Sequence, residues 1–293
     1  MQYLTYLDKD GSPRPACLLN GQGIDIFRAL QNTTESVPFT VDSVKAILSL
    51  PPAQKEILEQ ACQTSLAAGQ GFNLSDTTLA PPIPDPGKII CIGMNYPMDN
   101  MATRPEYPVV FLKPVSGLSA HQAPIRLART CVDVHFEAEL AFFITDRCHN
   151  VPLEEAHHHI AGYTIANDVG DQTVEKRTSQ WTSGKMFDTF TPVGPVLVTA
   201  DEIADPQDLM IQTWRNDVLV QEASTREMLF KIDEILSYLS TLTTLNPGDL
   251  VLTGSPKLFQ GRLVPQTPLQ PGEEIKISID SLGTLFNRIE PGE

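Results

Sequence analysis

Residues 132–144 read VDVHFEAELAFFI. In a strand, successive side chains point to opposite faces. Val132, Val134, Phe136, Ala138, Leu140 and Phe142 then share one face, and Cys131, Asp133, His135, Glu137, Glu139 and Ala141 share the other. The apolar face must lie on a core. Glu137 and Glu139 project the same way, with Cα atoms about 7 Å apart for a rise of ~3.3 Å per residue. Three readings suit such a pair: the solvated face of an antiparallel strand, an ion pair with Arg or Lys, or a site for a hard divalent cation such as Mg²⁺. A cation would remove the mutual repulsion that otherwise raises one carboxylate pKa.

A third carboxylate bears on that choice. The apolar run GYTIAND (162–168) ends on Asn167-Asp168, beside a glycine-containing loop. If Asp168 faces the paired glutamates, the set has the oxygen chemistry that Mg²⁺ or Mn²⁺ takes, with water and substrate completing the shell.

Further from this strand, residues 1 to about 40 alternate short apolar runs with turn signals, and 41–69 have helical spacing broken at Pro51-Pro52. The proline-rich stretch LAPPIPDPGKI (79–89) reads as a linker. The expected division is a small N-terminal α/β lobe over 1–78 and a β-rich domain over 79–293. In the second part, short strand candidates dominate and two Pro-Gly pairs, 247-248 and 271-272, mark turns. Helical spacing appears there in VPLEEAHHHIAG and in TREMLFKIDEILSYLSTL.

The formal charge of −15 over 293 residues argues against nucleic acid and anionic membrane as partners. No signal peptide opens the chain, and no stretch nears the ~18 to 20 apolar residues of a membrane helix. Five scattered cysteines without a C-x-x-C pair suit reduced thiols in a cytoplasm. Three consecutive histidines, 157 to 159, point in three directions on a helix and suit a surface better than one ion. Neither a P-loop, a G-x-G-x-x-G nor a G-x-S-x-G elbow stands where its chemistry would need it.

The ordered motifs KIICIGMNY, PVVFLKP, FEAELAFFI, GYTIAND, SGKMFDTFTPVGP, TREMLFKIDEILSYLSTLTTLNPGDLVLTGSP and LGTLFNRI resemble the fumarylacetoacetate hydrolase superfamily from about 88 to 289. That resemblance implies a mixed, β-rich sandwich roll with a few helices, usually a homodimer. It implies a small-molecule substrate of 1,3-diketo, acylpyruvate or 2-oxo acid type, and hydrolysis, decarboxylation, isomerisation or tautomerisation through an enolate. The family's E-x-E pair falls on Glu137 and Glu139 and its aspartate on Asp168, so the implied ligands are the three residues already singled out. Lys185 matches the lysine near substrate oxygens, with an ion pair to Asp188 as its ordinary alternative. Thr253 and Gly254 match a T-G-T-P turn, here with Ser255. Tyr96 either lines the pocket or packs as an ordinary aromatic.

Two departures qualify the reaction. Where the family has N-Y-x-x-H-x-x-E, with the His and Glu activating water, NYPMDNMA places Asp99 and Ala102. Asp99 is then either a weaker base or a solvated loop residue. Where the family has an arginine and a glutamine contacting substrate, Gln172 and Glu175 stand, which removes a bidentate carboxylate clamp. Hydrolysis therefore competes with non-hydrolytic isomerisation or cyclisation, and with a catalytically silent binding or dimerisation role.

Overall fold

The structure, a computed structural model, describes residues 1–33, 37, 39–98, 104–260, 262–264 and 267–292. Its principal elements are β1 (Gln2–Leu7), β2 (Pro13–Leu19), β3 (Gln22–Asp25), α1 (Pro52–Ala67), β4 (Ile89–Gly93), β5 (Val109–Lys113), β6 (Ala138–Ile144) and β7 (Ile160–Asn167). There follow β8 (Thr191–Thr199), β9 (Met210–Arg215), β10 (Val218–Ser224), α2 (Ile232–Leu242), β11 (Leu250–Leu252), β12 (Glu274–Ile279) and β13 (Gly283–Pro291).

Among the described residues a twelve-stranded sheet runs β3-β2-β1-β8-β7-β6-β11-β4-β5, with short strands added at its margins. A five-stranded sheet is built on β10-β9-β12-β13. The fold is thus the mixed, β-rich sandwich that the motifs imply, with few helices. No described helix is long and apolar enough to cross a membrane. All five cysteines are free.

β6 is central, and its composition explains why. Every residue of AELAFFI is buried. Ala138, Leu140, Phe142 and Ile144 join a core that includes Ile211, Ile275, Ile277 and Leu285 of the second sheet. Ala141 and Phe143 join another, with Ile26, Val44, Ile47 and Leu58 of the N-terminal helical segments. The strand is therefore packed on both faces, and of the three readings open for the glutamate pair the fully solvated face is the one this burial does not fit. The strand is also shorter than the apolar run, because a two-residue strand, Val134–His135, precedes it. Val132, read as core-facing, is 69% exposed, since the chain has left the sheet before that point.

The expected linker does not separate two sheets. β1 pairs antiparallel with β8, and Leu79–Ala80 adds to β1, so β1, β2 and β3 extend the large sheet while the N-terminal helical segments cover one of its faces. The long helix expected from Thr225 begins at Ile232. Ser224 to Glu227 instead close their own capped turn, with the Glu227 side chain accepting from Ser224 N at 3.2 Å. In α2, Ile232, Ile235, Leu236 and Leu239 share the buried face, and Glu234 accepts from Lys231 N at 2.8 Å. The histidine run lies in a 3₁₀ turn, Leu153–His159, where His157 and His158 are exposed.

Asn95 ties the loop after β4 to two other segments. Its side-chain amide donates to Thr253 O at 2.7 Å and Phe230 O at 3.1 Å, and its oxygen accepts from Phe230 N at 2.7 Å. The residue is buried, so truncation leaves three backbone groups without partners. Asn95→Ala should lower unfolding free energy in urea by about 3 kcal/mol, at roughly 1 kcal/mol or more per orphaned group.

Candidate functional site

Sheet register gathers the carboxylates. Glu139 lies opposite Ala166, and Asp168 N donates to Glu137 O at 2.8 Å, so the start of β6 meets the end of β7. The 137, 139 pair and the 166, 168 pair then face one way. One ligand oxygen from each of Glu137, Glu139 and Asp168 falls within 4.8 Å of the others. Gly254, just past β11, donates its N–H to Glu139 Oε2 at 2.6 Å. Its φ of +98° is one a side chain rarely adopts, and an added Cβ would lie 2.7 Å from Asn95 Cβ.

Three ammonium groups surround the cluster. Lys185 Nζ donates to Glu137 Oε2 at 2.8 Å and to Asp168 O at 2.8 Å, and stands 3.2 Å from Asp168 Oδ2. Lys113, at the end of β5, donates to Asp168 Oδ1 at 2.6 Å and to the carbonyls of Val169 and Phe190. Lys257 contacts the other Glu137 oxygen, Oε1. Gly170 makes room for this packing: a Cβ there would lie 2.1 Å from Glu175 Oε1 and 2.7 Å from Lys185 Cδ. The short helix Gln172–Glu175 is capped by Asp171, whose side chain accepts from Val174 N at 3.1 Å.

The electrostatics differ sharply within the cluster. Burial pushes the Glu137 carboxyl up, but Lys185 and Lys257 outweigh it and hold it at about 2. For Glu139, burial, Asp168 and Glu137 all act together to raise the carboxyl well above its usual range. Burial works against the Lys185 ammonium, yet Asp168, Glu137 and Glu175 raise it above its usual value. The Glu175 carboxyl is raised, chiefly by burial, with Lys185 opposing. Asp168 Oδ2 is buried with no hydrogen-bond donor aligned on it. Asp168 Oδ2, with the Lys185 ammonium near it at 3.2 Å, and the buried Glu139 carboxyl beside it form a donor set that a divalent cation fits.

A cavity of about 420 Å³ opens on the cluster. Glu137, Glu139, Asp168, Lys185, Gln172 and Glu175 line it, so six residues chosen from sequence meet here. Phe111 and Trp181 form an apolar part of its wall, their rings edge-on at 5.9 Å. Ser255, noted as the variant position of the T-G-T-P turn, also lines it; Lys257 lines it and was missed, as was Lys113 behind Asp168. Lys113 stands within the quoted motif PVVFLKP, as a charge ending an apolar strand. That was its available signal.

Other expected residues lie elsewhere. Tyr96 is 1% exposed among core side chains, off the cavity wall, and burial and Glu139 raise its hydroxyl pKa. Thr253 is buried behind the wall and donates to Leu140 O at 2.8 Å. Gly254 touches Glu139 through its backbone. Asp99 and Ala102 lie outside the described residues.

Similarities to known proteins accord with this geometry. The family model described as "Fumarylacetoacetate (FAA) hydrolase C-terminal" matches residues 88–290. The mitochondrial oxaloacetate tautomerase fahd2 of Xenopus laevis is 39% identical over 253 residues, 82% of this chain and 79% of that one. Protein Rv2993c of Mycobacterium tuberculosis is 39% identical over 80% of this chain and 87% of its own length. Among solved structures, the maleylpyruvate hydrolase of Sphingobium sp. SYK-6, in complex with manganese (II) ion and pyruvate, superposes with a TM-score of 0.79 at 28% identity, covering 100% of both chains.

The Glu139 environment yields a sign test. A carboxyl whose folded pKa is raised contributes most below its unfolded value, and that contribution is lost as pH rises. Replacing the titratable carboxyl should therefore stabilise protein stripped of metal. Glu139→Gln should raise Tm in EDTA at pH 7 by about 2 °C, the shift for roughly 1 kcal/mol, and should abolish any Tm rise on adding Mn²⁺.

Proposed function

Because the chain belongs to the fumarylacetoacetate hydrolase family, we propose that it is a divalent-metal-dependent enzyme interconverting the enol and keto forms of a 2-oxo diacid of oxaloacetate type. The observation that carries this reading is the convergence of three carboxylates with Lys185 and Glu175 in one cavity. The 39% identity to a protein named for oxaloacetate tautomerase supports the choice of substrate class.

Glu137, Glu139 and Asp168 would hold Mg²⁺ or Mn²⁺, and the ion when bound would supply Lewis-acid stabilisation of the enolate. Lys185 adds a fixed positive charge, held by buried acceptors, against the oxyanion as it develops. Glu175 is the cavity carboxyl outside the three-membered cluster, with Lys185 3.9 Å away. Its raised pKa suits a group that gives or takes a proton at the substrate carbon. The enol oxygen loses one proton and the carbon gains one, so no water is consumed. That balance suits a chain with Asp99 and Ala102 where its family places the water-activating pair. Gln172 offers an amide to the substrate where a guanidinium would otherwise stand, and Asp99 is a second candidate base. The working form in this reading is a homodimer.

Purified protein with Mn²⁺ or Mg²⁺ should accelerate decay of the oxaloacetate enol, followed by ultraviolet absorbance, and EDTA should remove the acceleration. Cleavage of acylpyruvates without any effect on the enol would overturn this reading in favour of hydrolysis. Glu175→Gln should lower kcat roughly 100-fold or more while leaving Mn²⁺ affinity unchanged by calorimetry.

A further inference from the structure

Both oxygens of Glu137 carry an ammonium partner, Lys185 on Oε2 and Lys257 on Oε1. A carboxylate oxygen has lone pairs for both an N–H and a cation, but an ammonium held beside a cation repels it. A divalent cation approaching Glu137 therefore meets two ammonium charges, and release of either lysine would ease its entry.

The two lysines are not equally free to leave. The Lys185 side chain is 4% exposed and has Asp168 O as a second acceptor. Moving it would strand an ammonium in the interior. The Lys257 side chain is 20% exposed, and Glu137 is its one hydrogen-bond acceptor among the described residues. It lines the cavity, so a released ammonium stays in the space where substrate binds.

We propose that Lys257 is a displaceable counter-ion: it gives up Glu137 to the incoming divalent cation and then binds the remote carboxylate of the substrate. The inference rests on the metal reading given under Proposed function. It fills a gap in that reading, because Gln172 stands where the family's arginine clamp belongs and a diacid still needs a cation. Lys176, the other cavity lysine, is exposed and donates to Gln172 Oε1 at 3.0 Å. The consequence is an order of binding, cation before anion.

Calorimetry on the full chain separates the outcomes. Lys257→Gln should bind Mn²⁺ roughly threefold more tightly than wild type, the scale of one partly exposed ion pair. In Mn²⁺-loaded protein the same variant should bind 2-oxoglutarate about tenfold more weakly, with affinity for pyruvate, which lacks the remote carboxylate, unchanged. Unchanged or weaker Mn²⁺ binding in the variant would overturn the displacement. Equal losses for pyruvate and 2-oxoglutarate, or a loss in Lys176→Gln instead, would overturn the carboxylate role. Wild type that binds no Mn²⁺ would overturn the metal reading itself, an outcome distinct from the others.

Discussion

Three carboxylates at the adjoining ends of two buried strands repel one another, and in a dry environment that repulsion is barely screened. Much of the local structure balances this charge. Lys113 reaches Asp168 from β5, Lys185 spans Glu137 and Asp168 from a helical turn, and Lys257 meets Glu137 from the segment after β11. The Gly254 amide adds a neutral donor to Glu139. Glu139 nonetheless keeps a strongly raised pKa, so the compensation is uneven and one part of the cluster still favours added positive charge.

Placement of the cluster follows from how the sheet is covered. The second sheet packs on one face of β6 and the N-terminal helical segments on the other. A wet second face would have let water screen Glu139, and its carboxyl would then differ little from a surface one. The N-terminal residues thus take part in the site's electrostatics without lining its cavity. The small-residue positions act similarly, since Gly170 lets Glu175 and Lys185 approach the same volume.

A carboxylate cluster that could hold a metal ion, a buried ammonium and a carboxyl with raised pKa lie around one cavity. Phe111 and Trp181 give the cavity an apolar wall beside these groups. Proteins of this fold carry names of hydrolases, isomerases and tautomerases.

By itself the sequence determined what depends on local pattern. Alternation in VDVHFEAELAFFI put Glu137 and Glu139 on one face, and the end of GYTIAND supplied Asp168. Seven ordered motifs were enough to imply the fold, because strand order follows once the family is recognised. Tertiary structure decided what depends on partners distant in the chain. Lys113 and Lys257 lie 55 and 120 residues from the carboxylates they meet, and no spacing rule links such positions. Nor could alternation show that β6 is packed on both faces, since that depends on N-terminal helical segments far back in the chain. Tyr96 and Thr253 fall within familiar motifs, yet packing turns Tyr96 into the core and Thr253 toward Leu140 O. Local pattern chose the acids; long-range packing chose the charges that face them, because burial and Coulomb interactions depend on distance through space.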